Sequence, residues 1–198
     1  MKVTKNDSAI NATYAYDTYA DLFMDEFDQG SVQYVGTDAT PGAQTFTDTD
    51  VGVTANTVTI AAHGFITGLK VVTTTSGTAP GGLSAGTYYI IKVDASTIKF
   101  ASSAVNAMAG SPIDITTVGG VGDTQTITPA ALGTCTFRIY GSNDGTNYVD
   151  TGLATGNLTS GTHSIALLVD KYYKSLRLKF VIPAGALTCL AKVYGKQY

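Results

Sequence analysis

Between Phe46 and Pro129 the chain alternates apolar and polar residues in short runs broken by glycine. Thr57-Val58-Thr59-Ile60, Tyr88 to Val93 and Thr97-Ile98-Lys99-Phe100 are such runs, and another strand begins at Val71, after the turn from Gly64 to Gly68. A period of two sends successive side chains to opposite faces of a strand, so the pattern predicts β structure. Asp94-Ala95-Ser96 reads as the turn of a hairpin. Ile113-Asp114-Ile115 and Thr124-Gln125-Thr126-Ile127 read as further strands bracketing the Gly119-Gly120-Val121-Gly122 turn. Ala104, Ala107 and Met108 fit a helical turn within residues 101–110.

The pattern continues in a second block, residues 129–198. Cys135, Phe137 and Ile139 share one side of a strand that runs into Asn143-Asp144-Gly145, where Asp-Gly is a strong hairpin signal. Leu176, Leu178 and Phe180 face one way and Arg177 and Lys179 the other, the mark of a half-buried antiparallel strand. Further strands are expected over residues 164–169 and 188–194.

Residues 1–45 read as an N-terminal arm. Tyr16, Ala20, Phe23 and Phe27 recur at helical spacing, with Asp17 or Thr18 as cap, so a short helix is predicted over residues 17–28, ending at Gly30. Residues 31–35 then alternate like a strand. The expected fold is therefore all-β: two small antiparallel domains, sandwich- or barrel-like, at 46–128 and 129–198, behind a helix-containing arm at 1–45. The reading favours the central module as an insertion, with residues 31–45 giving a strand to the C-terminal sheet, over beads on a string.

Composition agrees with this class. Charged residues are 14% of the chain, while glycine (22) and threonine (31) are abundant, which suits pleated surfaces and turns. Few charges and many hydroxyls also suit a protein packed into a larger assembly. The charge is uneven: residues 1–50 hold nine acids against two lysines, and residues 129–198 seven bases against three acids. Either these are two solvated faces, or the acidic arm docks on the basic C-terminal face of its own or a neighbouring subunit. The bases alternate along strands instead of clustering with aromatics, so no nucleic-acid partner is expected. No apolar leader or membrane-length run is read, so the expectation is cytoplasmic synthesis without secretion and no membrane partner. Cys135 and Cys189 sit among apolar neighbours and read as buried thiols, with a disulfide between them left open.

Candidate chemistry is sparse. His63 precedes a glycine and reads as a turn histidine bonded locally, and His163 is adjacent to Ser164, which puts the pair on opposite faces of a strand. Asp21, Asp25 and Asp28 would share one helical face, solvated or facing a partner. The Asn143 to Asn147 turn lacks the ligand pattern of a calcium loop, and the Gly119 to Gly122 run lacks the lysine of a phosphate loop. No catalytic residue, cofactor or metal is expected. The candidate contacts are with partners: Tyr16, Phe23, Phe27, Asp21 and Asp25 on the arm.

The central stretch carries a resemblance. His63-Gly64-Phe65, Gly82-Leu83-Ser84-Ala85-Gly86-Thr87-Tyr88-Tyr89, Val93-Asp94-Ala95-Ser96-Thr97-Ile98-Lys99-Phe100-Ala101 and Ala109-Gly110-Ser111-Pro112-Ile113-Asp114-Ile115 resemble a module common in structural proteins of tailed bacteriophages. Tyr140-Gly141-Ser142-Asn143-Asp144-Gly145-Thr146-Asn147-Tyr148, followed by Tyr173-Lys174-Ser175-Leu176-Arg177-Leu178, resembles the β-sandwich units of phage virion proteins and, more loosely, a discoidin-like carbohydrate-binding pattern. The resemblance implies a virion component without catalytic residues, oligomeric with itself and bound to proteins such as the major capsid protein. The expected role is capsid decoration or cement, or a head fibre, gripping the shell through many weak contacts. On that view removing residues 1–28 abolishes particle binding and leaves both domains folded. The alternative is a tail or baseplate protein whose sandwich binds a host surface glycan, with Tyr148, Tyr172, Tyr173 and Tyr194 as its aromatic platform.

Overall fold

The computed structural model describes residues 2–14, 18–23, 29–154, 161–167, 173 and 175–197, with side chains described over 35–154, at 173 and over 175–189. The strands, in chain order, are β1 (Lys2–Tyr14), β2 (Thr18–Phe23), β3 (Gln29–Asp38), β4 (Gln44–Phe46), β5 (Val51–Gly52), β6 (Thr57–Thr59), β7 (Lys70–Thr75), β8 (Gly86–Lys92), β9 (Thr97–Ala101), β10 (Gln125–Pro129), β11 (Thr136–Ser142), β12 (Val149–Ala154), β13 (Gly161–Leu167), β14 (Ser175–Val181) and β15 (Leu187–Gln197). A 3₁₀ turn at Asp48–Asp50 precedes β5, and a short α-helix, α1 (Ala104–Met108), follows β9. Every described ladder is antiparallel. The protein is all-β.

The chain divides into two compact units. The first comprises residues 1–39, 132–183 and 187–198, and the second residues 40–131 with 184–186. The second unit is thus an insertion between β3 and β11.

Among the described residues the first unit has eight strands in two four-stranded sheets, β1-β15-β3-β13 and β12-β11-β14-β2. Counting only these eight, the first strand pairs with the last, the second with the seventh, the third with the sixth and the fourth with the fifth. That is one long hairpin folded over on itself and shared between two sheets, the topology of a jelly roll. Its core holds Cys135, Phe137, Ile139, Leu176, Leu178 and Phe180 from one sheet and Leu187 and Cys189 from the other. Phe137 and Phe180 are register partners, with rings edge to face at 4.8 Å. Cys135 and Cys189 are free thiols.

Two expectations are corrected here. Residues 1–45 are no arm, because β1, β2 and β3 are built into the two sheets. The helix expected over 17–28 is replaced, over its described part, by β2. The same six residues also carry a period of two: Thr18, Ala20 and Leu22 stand opposite the buried Phe180, Leu178 and Leu176. A helix there would leave the outer edge of β14 unpaired, so the ladder outweighs the local periodicity.

The second unit is a seven-stranded sheet, β4-β10-β7-β8-β9-β6-β5. Phe46, Val58, Phe65, Leu69, Val71, Ile90, Ile98, Phe100 and Ile127 fill its core. Phe100 takes Tyr88 edge to face at 5.8 Å, and the Phe46 ring lies tilted to it at 6.4 Å. The helix α1 is capped by Ser103, whose side chain accepts the Asn106 N–H. The strand expected at Ile113-Asp114-Ile115 does not form. Its backbone instead makes scattered bonds, Ile113 N–H to the Phe100 carbonyl and Ile115 N–H to Asn56 Oδ1. Gly82, at φ +84°, permits this crossing, because a Cβ there would lie 2.0 Å from the Asp114 carbonyl oxygen.

Candidate functional site

The outer face of sheet β12-β11-β14-β2 gathers Arg138, Tyr140, Tyr148, Asp150, Arg177 and Lys179. Burial of Leu176, Leu178 and Phe180 turns Arg177 and Lys179 outward, and burial of Phe137 and Ile139 does the same for Arg138 and Tyr140. Register sets Tyr140 between Asp150 and Arg177, and Arg138 beside Lys179. The Arg177 guanidinium lies 4.0 Å from the centroid of the Tyr148 ring, a cation–π contact. Arg138 meets Asp150 at 3.3 Å, with side chains 56% and 38% exposed. An ion pair that exposed contributes at most about 1 kcal/mol, so it orders the surface more than it stabilises the fold. The face is basic with aromatic members, suited to contact with acidic or hydroxyl-rich partners.

The residues singled out from the sequence do not converge on one place. Asp21 stands in register with Arg177 and Phe23 with Ser175, both on β2, so the acidic N-terminal segment meets the basic C-terminal strand as a sheet neighbour. Tyr16, Asp25 and Phe27 lie outside the described residues, as does Tyr172. Tyr194 occupies a β15 position opposite Lys5 and Ser31. Tyr148 belongs to the outer face just described. The Tyr173 ring instead covers Gly141, where an added Cβ would lie 2.4 Å from it. Gly141 shares the inward parity of Phe137 and Ile139, so Tyr148 and Tyr173 are on opposite faces of one sheet and cannot form a joint platform.

Sequence reasoning missed a second surface. On the sheet of the inserted unit, Thr45, Thr126 and Thr74 stand in register across β4, β10 and β7, and Thr128, Val72 and Thr87 across β10, β7 and β8. Five of these six are exposed and Thr126 is half-buried. The adjacent Thr73 turns inward, where its hydroxyl donates to the Ser84 and Gly86 carbonyls. The result is an uncharged, β-branched, hydroxyl-bearing face, with Lys70 and Lys99 at one end. Its signal in the sequence was threonine at every second position, as in Thr124, Thr126 and Thr128.

Groups with chemical potential are otherwise bound locally. Asp144, in the β11–β12 turn, accepts bonds from the Ser142 hydroxyl, the Thr146 and Asn147 N–H groups and the Asn147 amide. The two backbone N–H groups lead in holding its carboxyl far below the usual carboxylate range. Burial, with Cys135 nearby, pushes the Cys189 thiol up to about 12, and burial raises Cys135 as well. Neither is a thiolate at neutral pH, so neither is a nucleophile. Among the described residues no three His, Cys, Asp or Glu side chains group as metal ligands. No family model matches the chain, and no curated protein matches it.

Proposed function

We propose that this chain is a non-enzymatic structural protein of a tailed-bacteriophage virion that decorates the capsid through many weak contacts. The observation that carries the reading is the eight-stranded jelly roll bearing a second β unit between its third and fourth strands. Jelly rolls recur in viral capsid proteins as well as in lectins and cupins. Fold analogy alone does not assign a function, so the reading also draws on the phage-like residues of the inserted unit and on its two contrasting faces. A basic, tyrosine-bearing face on one unit and an uncharged threonine face on the other give two kinds of contact area. Repetition over a lattice multiplies weak contacts of this kind by avidity. The glycan-adhesin alternative gains nothing from Tyr148 and Tyr173, which face opposite ways.

The test is the copy number of this chain in the purified source particle, by quantitative mass spectrometry against the major shell protein. A number comparable to the shell protein is expected. A small fraction of it overturns decoration in favour of a tail or baseplate position. Absence from the particle overturns the virion reading.

A further inference from the structure

The segment between β6 and β7 is strained at its centre, where a buried histidine holds it. Ala62 adopts φ +50° and Gly64 φ +70°, so a left-handed residue stands on each side of His63. For alanine that conformation costs roughly 1–2 kcal/mol. His63 itself is 1% exposed. Its Nδ1 accepts the Phe65 N–H at 2.9 Å, and its Nε2 lies 3.1 Å from the Asp94 carbonyl oxygen in the β8–β9 turn. An Nδ1 that accepts carries no proton, so the ring is the neutral Nε2–H tautomer and Nε2 donates to Asp94. The ring also packs on Phe65, itself fully buried, at 5.3 Å between centroids. One imidazole thus ties the strained turn to a hairpin more than thirty positions away.

We propose that His63 is an acid-sensitive latch: a proton on Nδ1 removes the acceptor of the Phe65 N–H, sets two donors against each other, and releases residues 61–66 from the β8–β9 turn. The charged groups facing the ring are few. Lys92, at the end of β8, disfavours the imidazolium, while Asp94 and its carbonyl favour it. Burial, the largest influence, acts with Lys92, outweighs Asp94 and lowers the histidine from its ordinary value. The sign follows. The unfolded chain takes up the proton first, so the stabilisation is complete above the ordinary histidine value of about 6.5 and is lost as pH falls from there through the depressed folded value. The bonds that flank this stretch, Ile60 N–H to the Ser96 carbonyl, Lys92 N–H to Thr67 Oγ1 and Gly68 N–H to the Ile90 carbonyl, do not titrate. Release is therefore local.

The test uses the full chain, with imidazole ¹H–¹⁵N spectra and amide hydrogen exchange, corrected for intrinsic rates, from about pH 7.5 to about pH 5. His63 is expected as the Nε2–H tautomer at the upper pH and to titrate below the ordinary histidine value. Protection over 61–66 should fall by about tenfold or more, while residues 175–181 keep theirs. In His63→Asn the Oδ1 replaces Nδ1 as acceptor for Phe65 N–H, so protection starts lower and does not change with pH. His163→Asn follows the wild type. A His63 that titrates at or above the ordinary value overturns the latch, as does an equal loss of protection in His63→Asn. Should His63→Asn fail to fold, the wild-type titration and exchange decide.

Discussion

At the scale of single residues, the inserted unit depends on positions where the backbone leaves no choice. Gly82 combines a left-handed φ with a hypothetical Cβ 2.0 Å from the Asp114 carbonyl oxygen, a backbone atom that cannot swing aside. Gly82→Ala is expected to destabilise the inserted unit by roughly 2–4 kcal/mol, the sum of a conformational and a steric cost. Denaturant unfolding followed on that unit measures it, and a change within about 0.5 kcal/mol, the range of an ordinary surface substitution, would contradict the account. Asn56 shows the other solution to the same problem. It too has positive φ, at 55°, which asparagine tolerates, and its Oδ1 accepts the Ile115 N–H at 2.7 Å. His63 is a third case, in which the strain lies in its neighbours and the side chain holds them. Its local bond was legible from the following glycine, but the reach to Asp94 was not, because no local pattern encodes a contact between distant turns.

At the scale of elements, legibility followed the source of each signal. β9, β11 and β14 alternate and were readable, since half-buried strands write their two faces into the chain. The turn at Asp144-Gly145 was readable because glycine supplies a positive φ, here +73°, although only Gly145 of the two takes it and the connection is the longer loop 143–148. β2 was misread because its aromatic and small residues fit periods of both two and 3.6. Only the partner strand β14, about 150 positions away, decides between them. The candidate site suffered similarly: the tyrosines could be named, but the faces they occupy depend on register. That register gives the pair Phe137 and Phe180, 1% and 0% exposed, a central place between β11 and β14. Phe137→Ala should cost about 3–5 kcal/mol, a large share of the roughly 5–15 kcal/mol that holds a typical domain together. In scanning calorimetry the transition of the jelly roll is expected to move down while that of the inserted unit stays. A shift of both together would mean that the two units unfold as one.

At the scale of the whole molecule, the division into a discontinuous and a nearly continuous unit makes an asymmetric prediction. The inserted unit takes all its strands from residues 40–131 and encloses its own core, so this segment expressed alone should fold. Its one contribution from elsewhere is residues 184–186, where Ala186 N–H donates to Thr40 Oγ1 at 2.9 Å, and the loss of one partly buried bond costs only about 1 kcal/mol. The jelly roll has no such freedom, because its ladders join the first strand to the last and the second to the seventh. Removing residues 1–28 therefore does not detach an arm. It deletes β1 and β2, strips a neighbour from β15 and β14, and opens both sheets at once. Such a chain should lose the calorimetric transition of the jelly roll and keep that of residues 40–131, so its loss of particle binding would report unfolding and not a missing anchor. If both transitions survived the truncation, β1 and β2 would be dispensable additions to the sheets and the arm reading would return. If the 40–131 fragment showed no cooperative transition, the inserted unit would need the jelly roll as its template.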